Sequence, residues 1–147
     1  MVSPHRATFV KTMPRLCAER DGVSVVAVRH GCPIFAADFA AALEIVTPRL
    51  VVDRGAPTGI FHCVNAGETM RHGFAEAVVA GPARRGCRNV PVSGIPTSAY
   101  PTPARRPANS VLSTERLETV YGIPMRPWQV VPDDILDRLV SPAATGV

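Results

Sequence analysis

The stretch from Gly59 to Asn65, G-I-F-H-C-V-N, is the strongest strand signal in the chain. Aromatic and β-branched side chains favour strands, and here apolar residues fall on both faces of the predicted strand. Two apolar faces are typical of a parallel sheet that helices cover on both sides. The stretch therefore predicts an α/β fold, and the remaining elements are placed around it.

Apolar periodicity predicts helices and shorter strands on either side of this strand. His30 to Pro33 is predicted to be a turn, because it combines glycine and proline. The second helix is expected to stop before Pro48, and the third to close at Gly81-Pro82. The order α-β-α-β-α-β-α-α indicates an α/β class with short parallel strands. The other predicted elements are helices at 6–20, 35–47, 70–80, 114–121 and 128–139 and strands at 23–28 and 90–92.

The bulk composition excludes several classes of protein. A length of 147 residues suits one domain, and an apolar content of 46% is too high for a disordered chain. The net charge of +4 comes almost wholly from arginine, since Lys11 is the only lysine. Basic residues never form runs longer than two and few aromatics lie among them, which argues against nucleic-acid binding. No apolar run reaches membrane-spanning length.

The cysteines occur singly, and no signal peptide precedes them. We expect free thiols in a cytoplasmic protein. His30 lies two residues before Cys32, and His62 adjoins Cys63, but neither spacing fits a known zinc-ligand pattern. The sequence therefore predicts no metal site. The four cysteines are Cys17, Cys32, Cys63 and Cys87.

Residues 100–117, Y-P-T-P-A-R-R-P-A-N-S-V-L-S-T-E-R-L, form the most distinctive stretch. Its prolines each fix φ and favour an extended, stiff arm. Arg105 and Arg106 lie within that arm and carry planar guanidinium groups suited to phosphate or carboxylate. Two interpretations stay open, an anion clamp and a surface loop with two solvated arginines. Ser113 or Thr114 is expected to cap the helix that follows.

The patterns of a self-sufficient active site are missing from these residues. There is no G-x-G-x-x-G loop for a dinucleotide, no G-x-S-x-G and no phosphate-binding G-K-[ST]. Tyr100 and Tyr121 are followed four positions on by Ala104 and Met125, so there is no Tyr-x-x-x-Lys pair. The aspartates at 133, 134 and 137 are expected to be solvated on the last helix. No catalytic residue is assigned, and the sequence leaves open whether the chain is an enzyme.

Several stretches together resemble the C-terminal half of the dTDP-4-dehydrorhamnose reductases, RmlD-like members of the extended short-chain dehydrogenases/reductases. The resemblance covers about residues 3–140. It implies the C-terminal part of an extended Rossmann-type fold, with short parallel strands, covering helices and an incomplete sheet. The stretches are S-P-H-R-A-T-F-V-K-T-M (3–13), V-S-V-V-A (23–27), G-C-P (31–33), G-I-F-H-C-V-N-A-G-E-T (59–69), G-F-A (73–75), residues 100–117 and Y-G-I (121–123).

The resemblance also implies a function. The family reduces dTDP-4-dehydro-6-deoxy-L-mannose to dTDP-L-rhamnose, a precursor of cell-wall polysaccharide, with NADPH. Its N-terminal half carries the glycine loop and the Tyr-x-x-x-Lys pair, which explains why this chain shows neither. Residues 1–140 are thus expected to form one substrate-binding segment, with 141–147 a frayed tail and the NAD(P)-binding half absent. We expect the chain alone to bind no cofactor.

The resemblance assigns the substrate-binding positions. Arg105, Arg106 and Asn109 are expected to face the nucleotide diphosphate or sugar, and Thr8 stands where the family usually has asparagine. Asn65 either caps a strand end or contacts the ligand.

Other pocket positions also depart from the family. Val28-Arg29 replace an Asp-Gln pair, Ile34 replaces threonine, and Arg71 replaces a tryptophan.

Three hypotheses follow. The chain is a truncated or split reductase half that binds dTDP-sugar and is inactive alone. Alternatively, it is a non-catalytic nucleotide-sugar or protein-binding module that associates with a full-length reductase or with itself. The third hypothesis is an inert gene remnant. Each of them assumes a cytoplasmic protein without nucleic-acid or membrane partners.

Overall fold

The computed structural model describes residues 1–2, 9–84, 88–100 and 107–140. Five helices and five short strands lie along them, together with two 3₁₀ turns at Thr97–Ala99 and Trp128–Val130. The helices are α1 (Phe9–Glu19), α2 (Ala36–Val52), α3 (Arg71–Arg84), α4 (Glu115–Tyr121) and α5 (Val131–Val140). The strands are β1 (Val23–Val26), β2 (His30–Gly31), β3 (Thr69–Met70), β4 (Val92–Ile95) and β5 (Asn109–Ser110).

The strands form two small sheets. In the first, β1 and β4 run parallel, with Val23 opposite Val92 and Val26 opposite Ile95. In the second, the order is β3-β2-β5, with β2 antiparallel to β3 and parallel to β5. The predicted α/β class with short parallel strands is confirmed. His30 and Gly31 were predicted to be in a turn, which is wrong: β2 lies at the centre of the second sheet.

The larger core lies where α1, α3 and α5 pack around β1. Apolar residues three and four apart on each helix supply it, as periodicity predicts for amphipathic helices. Three aromatic rings, those of Phe9, Phe74 and Trp128, lie in a row along its edge. Its innermost side chains include Val10, Met13, Val78, Val131 and Ile135.

The smaller core joins α2 and α4. Ala42 of α2 packs against Leu117 and Tyr121 of α4, and the ring of Phe61 meets that of Tyr121 edge-on at 5.1 Å. The Tyr121 hydroxyl, which would otherwise be buried without a partner, donates to the Pro57 carbonyl.

Helix α4 confirms the helix predicted at 114–121. Thr114 occupies the N-cap position but makes no side-chain cap bond, and the Ser113 hydroxyl instead accepts from the Glu115 N–H at 3.3 Å. The helix ends at Gly122, whose φ of 67° is left-handed and whose N–H donates to the Glu118 carbonyl.

The strand predicted at 59–65 is wrong, because none of these residues pairs in a sheet within the described chain. The apolar pattern was real, since Phe61 and Cys63 pack on the smaller core and Val64 is buried. A run of apolar residues reports which side chains are covered. A strand also needs a backbone partner, and none of the described strands pairs with this segment.

Two predicted helix ends are also wrong. Helix α2 continues through Pro48 to Val52, and α3 continues past Gly81-Pro82 to Arg84. A proline removes only its own N–H, and the Asp53 N–H still donates to the Arg49 carbonyl at 2.9 Å. Helix α3 packs against α1, α5 and β4, and such tertiary packing outweighs local propensity.

Gly122→Ala tests the left-handed cap of α4. An added Cβ meets no atom within 4 Å, so the cost is backbone strain alone, about 1–2 kcal/mol of unfolding free energy. Gly22→Ala is the matched control, because Gly22 has an ordinary φ and a Cβ there makes only van der Waals contact with Pro91. Urea titration of the cooperative unfolding transition measures both. Equal stability of the two variants would contradict the assigned cap.

Candidate functional site

A cleft of about 410 Å³ lies alongside β2. This volume falls within the range of small-molecule sites, and the cleft is open to solvent on one side. The second sheet forms its floor, because β2 contributes His30 and Gly31 while β3 and β5 contribute Thr69 and Ser110. Its walls are Met1, Val2, Arg29, Cys32, Pro33, Ile34, Arg71, Phe74 and Pro107.

Gly31 lets the two parallel strands approach closely at the cleft floor. A Cβ at this position would lie 2.9 Å from the Ser110 hydroxyl oxygen. That hydroxyl donates to the His30 carbonyl at 3.0 Å, across the same strand pair. Any larger residue at position 31 would displace the Ser110 hydroxyl from this hydrogen bond, which holds β5 against β2.

Arg71 is positioned by the aromatic row of the larger core. Its guanidinium carbon lies 5.1 Å from the centroid of the Phe9 ring, which stacks on Phe74 at 5.9 Å. The Arg71 backbone N–H donates to the Arg29 carbonyl at 3.2 Å, so the backbones of the two arginines are neighbours, and both residues line the cleft. A cation over an aromatic face gains roughly 0.5–1 kcal/mol at an exposed site, which favours this orientation.

The cleft has the electrostatics of an anion site. Its lining includes two arginines and a histidine and no carboxylate. Among the described residues, neither the Arg29 nor the Arg71 guanidinium forms an ion pair. Guanidinium groups without a carboxylate partner are available for charge-assisted hydrogen bonds to phosphate or carboxylate oxygens.

The predicted substrate-binding residues fall in different places. Thr8, Arg105 and Arg106 lie outside the described residues. Asn109 lies on β5 and is exposed, and its side-chain oxygen accepts from the Val111 N–H at 2.8 Å. The next residue, Ser110, lines the cleft instead.

The cleft is lined by three residues that the sequence analysis marked only as departures from the family, namely Arg29, Ile34 and Arg71. Val28 does not line it. Sequence reasoning missed this convergence because it depends on the pairing of β2 with β3, which no local pattern reports.

Asn65 is a structural residue. Its side chain is 1% exposed and fully hydrogen-bonded to protein groups. The amide nitrogen donates to Asp38 at 2.5 Å and to the Arg126 carbonyl at 3.2 Å, while the amide oxygen accepts from the Phe35 N–H at 2.8 Å. Neither of the two interpretations left open describes this residue, because it does not line the cleft and residues 59–65 form no strand for it to cap. The residue instead holds the start of α2.

Arg126 extends this network to α5. It forms ion pairs with Asp38, at 2.7 Å, and with Asp134. The hydrogen bond to Asp38 is the main cause that raises the pKa of Arg126, and Asp134 adds to it. Asp134 is thus paired, where the sequence predicted a solvated residue. Burial raises the pKa of the Cys63 thiol, and the nearby charge of Asp38 raises it further.

The cysteines and histidines form no metal centre in the part of the chain that the structure describes. No three His, Cys, Asp or Glu side chains converge there as ligands. Cys17 is buried, Cys32 and Cys63 are half-buried, and all three are free thiols. None of the described helices is long and apolar enough to cross a bilayer.

The described residues do not fit a nicotinamide cofactor. A dinucleotide fold places its pyrophosphate on a glycine-rich turn between a strand and a helix N-terminus. Here the left-handed glycines Gly59, Gly67 and Gly122 lie in isolated turns, and none precedes a helix directly after a strand. That the chain alone binds no cofactor stays a prediction.

Comparison with known proteins identifies the family to which this fold and cleft belong. A sequence profile described as the RmlD substrate binding domain matches residues 2–141. The chain belongs to this family. RmlD-type relatives include a dTDP-4-dehydrorhamnose reductase of Burkholderia thailandensis, 42% identical over 128 residues, which are 82% of this chain and 43% of the relative. One from Escherichia coli is 36% identical over 139 residues, covering 92% of this chain and 46% of the relative.

Solved RmlD-type structures share the fold. A dTDP-4-dehydrorhamnose reductase from Clostridium acetobutylicum superposes with a TM-score of 0.78 at 29% identity, over 92% of this chain and 45% of that one. The Bacillus anthracis reductase, in complex with NADP, gives 0.78 at 25% identity, over 93% and 45%. The predicted family and its incomplete sheet are confirmed. The chain spans less than half the length of the curated relatives it matches.

Asn65→Ala tests the buried network. The substitution removes the amide's bonds to the Phe35 N–H, the Arg126 carbonyl and an Asp38 oxygen, at about 1–3 kcal/mol for a buried group that loses its hydrogen bond. The Arg126 carbonyl keeps its bond from the Ala66 N–H. Asn109→Ala is the control, because among the described residues the exposed Asn109 side chain bonds only to the Val111 N–H two residues on, and we expect a change within about 0.5 kcal/mol. Denaturant unfolding checks both. A loss at Asn65 no larger than that at Asn109 would show that the network is dispensable.

Proposed function

We propose that this chain is the nucleotide-sugar-binding half of a dTDP-4-dehydrorhamnose reductase, with residues 1–140 acting as one unit. The observation that carries the proposal is the cleft beside β2, in a chain of the RmlD substrate-binding family. The cleft combines an apolar wall with two guanidinium groups that form no ion pair among the described residues. The proposed ligand is a dTDP-sugar.

The chemistry of the cleft suits the parts of such a ligand. Arg71 and Arg29 supply charge-assisted donors for a diphosphate, which carries its charge on several oxygens. Ser110 and Thr69 offer hydroxyls to the sugar, while Phe74 and Pro33 form part of the apolar wall of the cleft. In the sequence Arg106 directly precedes Pro107, which lines the cleft, and this position supports the earlier assignment of Arg105 and Arg106 to the diphosphate.

The proposed role in the reaction is to bind and orient the sugar. Reduction of the 4-keto group requires a hydride donor, and the described residues of this chain do not fit a nicotinamide cofactor. Turnover is therefore proposed only when a nicotinamide-binding half is present, and NADPH would be the reductant supplied by that half. The described residues can fix the nucleotide end of the substrate, which is a positioning role.

Isothermal calorimetry with dTDP-L-rhamnose tests the binding site. Arg71→Ala should weaken binding by about tenfold or more, since a hydrogen bond to a charged group contributes roughly 1.5–3 kcal/mol. Arg54→Ala is the matched control, because Arg54 is exposed on the loop after α2, away from the cleft. Arg106→Ala tests the arm in the same assay.

Two results would contradict the proposed site. One is saturable binding that Arg71→Ala leaves at the level of Arg54→Ala. The other is no heat of binding from the unaltered chain at millimolar dTDP-L-rhamnose while its unfolding transition is cooperative.

A kinetic measurement tests the division of roles. With NADPH and dTDP-4-dehydro-6-deoxy-L-mannose, the chain alone should give no absorbance loss at the nicotinamide wavelength above the protein-free rate. The physical reason is that it provides neither a dinucleotide loop nor a proton-donating Tyr-x-x-x-Lys pair. Turnover by the purified chain, abolished by Arg71→Ala, would overturn this assignment.

A further inference from the structure

The His30 imidazole is a titratable group of the cleft that the proposed function does not use. His30 lies on β2, the central strand of the cleft floor, and is exposed. Its backbone is fixed on one side, since its N–H donates to the Ala108 carbonyl and its carbonyl accepts from the Ser110 hydroxyl. Its ring forms no hydrogen bond or ion pair within the described chain. The backbone therefore holds in place a ring whose polar atoms can meet a ligand.

The other described histidines lie outside the cleft. The His72 ring contacts the Val92 carbonyl at 3.0 Å through Nε2 and the Glu76 carboxylate at 3.5 Å through Nδ1. His62 is exposed, but it lines a separate groove beside α4. His30 is thus the one histidine of the described residues that lines the cleft beside β2.

The charged groups around His30 are cationic. Arg29 precedes it on the same segment, and the Cys32 thiol follows it two residues later. Arg71 faces the cleft from the start of α3, and Met1, with its titratable α-amino group, lies in the wall. The side chains that β3 and β5 contribute are neutral, and no carboxylate lines the cleft. A charge on the His30 ring therefore has no acidic partner in the lining and is available to an anionic ligand.

We propose that His30 is a proton-dependent ligand of the substrate diphosphate, so that the cleft binds a dTDP-sugar more tightly as the pH falls from about 7.5 to about 5.5. The inference rests on the proposed function and deepens it. It adds a third cationic group to Arg29 and Arg71, and it makes the occupancy of the cleft depend on pH.

The direction of the effect follows from the chemistry of the ring. Neutral imidazole offers one N–H, whereas imidazolium offers two and carries a positive charge. A charge-assisted hydrogen bond to a phosphate oxygen is about twice as strong as a neutral one. A bound diphosphate therefore favours the protonated ring. By linkage, binding takes up protons and strengthens as the pH falls through the range in which histidine titrates.

The choice of ligand separates protein protons from ligand protons. A terminal phosphate takes up a proton near about pH 6, so free dTDP would titrate in the same range. The diphosphate of dTDP-L-rhamnose is esterified at both ends and lacks that titrating group. Protons taken up when dTDP-L-rhamnose binds therefore belong to the protein.

Isothermal calorimetry of the full chain with dTDP-L-rhamnose tests the inference. The unaltered chain should bind about threefold more tightly at about pH 5.5 than at about pH 7.5, because the bound diphosphate is then paired with a charged ring. At about pH 6.5, two buffers of different ionisation enthalpy should reveal uptake of a fraction of one proton for each ligand bound.

Matched variants assign the proton to His30. His30→Gln keeps a hydrogen-bonding side chain without a titratable charge and should lose both the strengthening and the proton uptake. His30→Lys carries its charge at both pH values and should bind at each about as tightly as the unaltered chain does at the lower one. His62→Gln is the control and should keep the full pH dependence, because His62 does not line the cleft. Both histidines are exposed, and urea unfolding at each pH confirms that the variants are folded.

Two results would overturn the inference while leaving the proposed function in place. One is binding of dTDP-L-rhamnose that does not strengthen toward the lower pH. The other is a strengthening that His30→Gln retains as fully as His62→Gln does. No binding by the unaltered chain at either pH would instead overturn the proposed function, and this inference with it.

Discussion

The buried amide of Asn65 is the contact on which the arrangement of the two cores depends. It forms hydrogen bonds simultaneously with the Phe35 N–H at the start of α2, with the Asp38 carboxylate of α2 and with the Arg126 carbonyl in the loop before α5. Arg126 then links Asp38 to Asp134 of α5, so one network spans the larger and the smaller core. Because every polar group of the amide is paired, the network specifies a single relative placement of these elements.

That placement also sets one wall of the cleft beside β2. The chain that enters α2 carries Pro33 and Ile34 along this wall, and the Asn65 backbone N–H donates to the Pro33 carbonyl. A single buried residue thus anchors both the start of α2 and the wall of the cleft.

Much of this fold was predictable from the sequence where one local pattern decided the outcome. The α/β class and helix α4 follow from apolar spacing and turn chemistry, and the family was indicated by the resemblance of stretches such as residues 100–117. The strand at 59–65 failed because a run of apolar residues reports side-chain burial, while a strand also requires a backbone partner elsewhere in the fold. The helix ends at Pro48 and Gly81 failed because tertiary packing outweighed local propensity.

The site was harder to predict than the fold. Arg29 and Arg71 are far apart in sequence and meet only through the pairing of β2 with β3, and the Asn65 network joins three separate segments. The most direct test of the account is a crystal structure of the chain with dTDP-L-rhamnose. We predict the diphosphate within hydrogen-bond distance of the Arg71 guanidinium, in the cleft beside β2. A nucleotide bound elsewhere, with that cleft filled by solvent, would contradict the account.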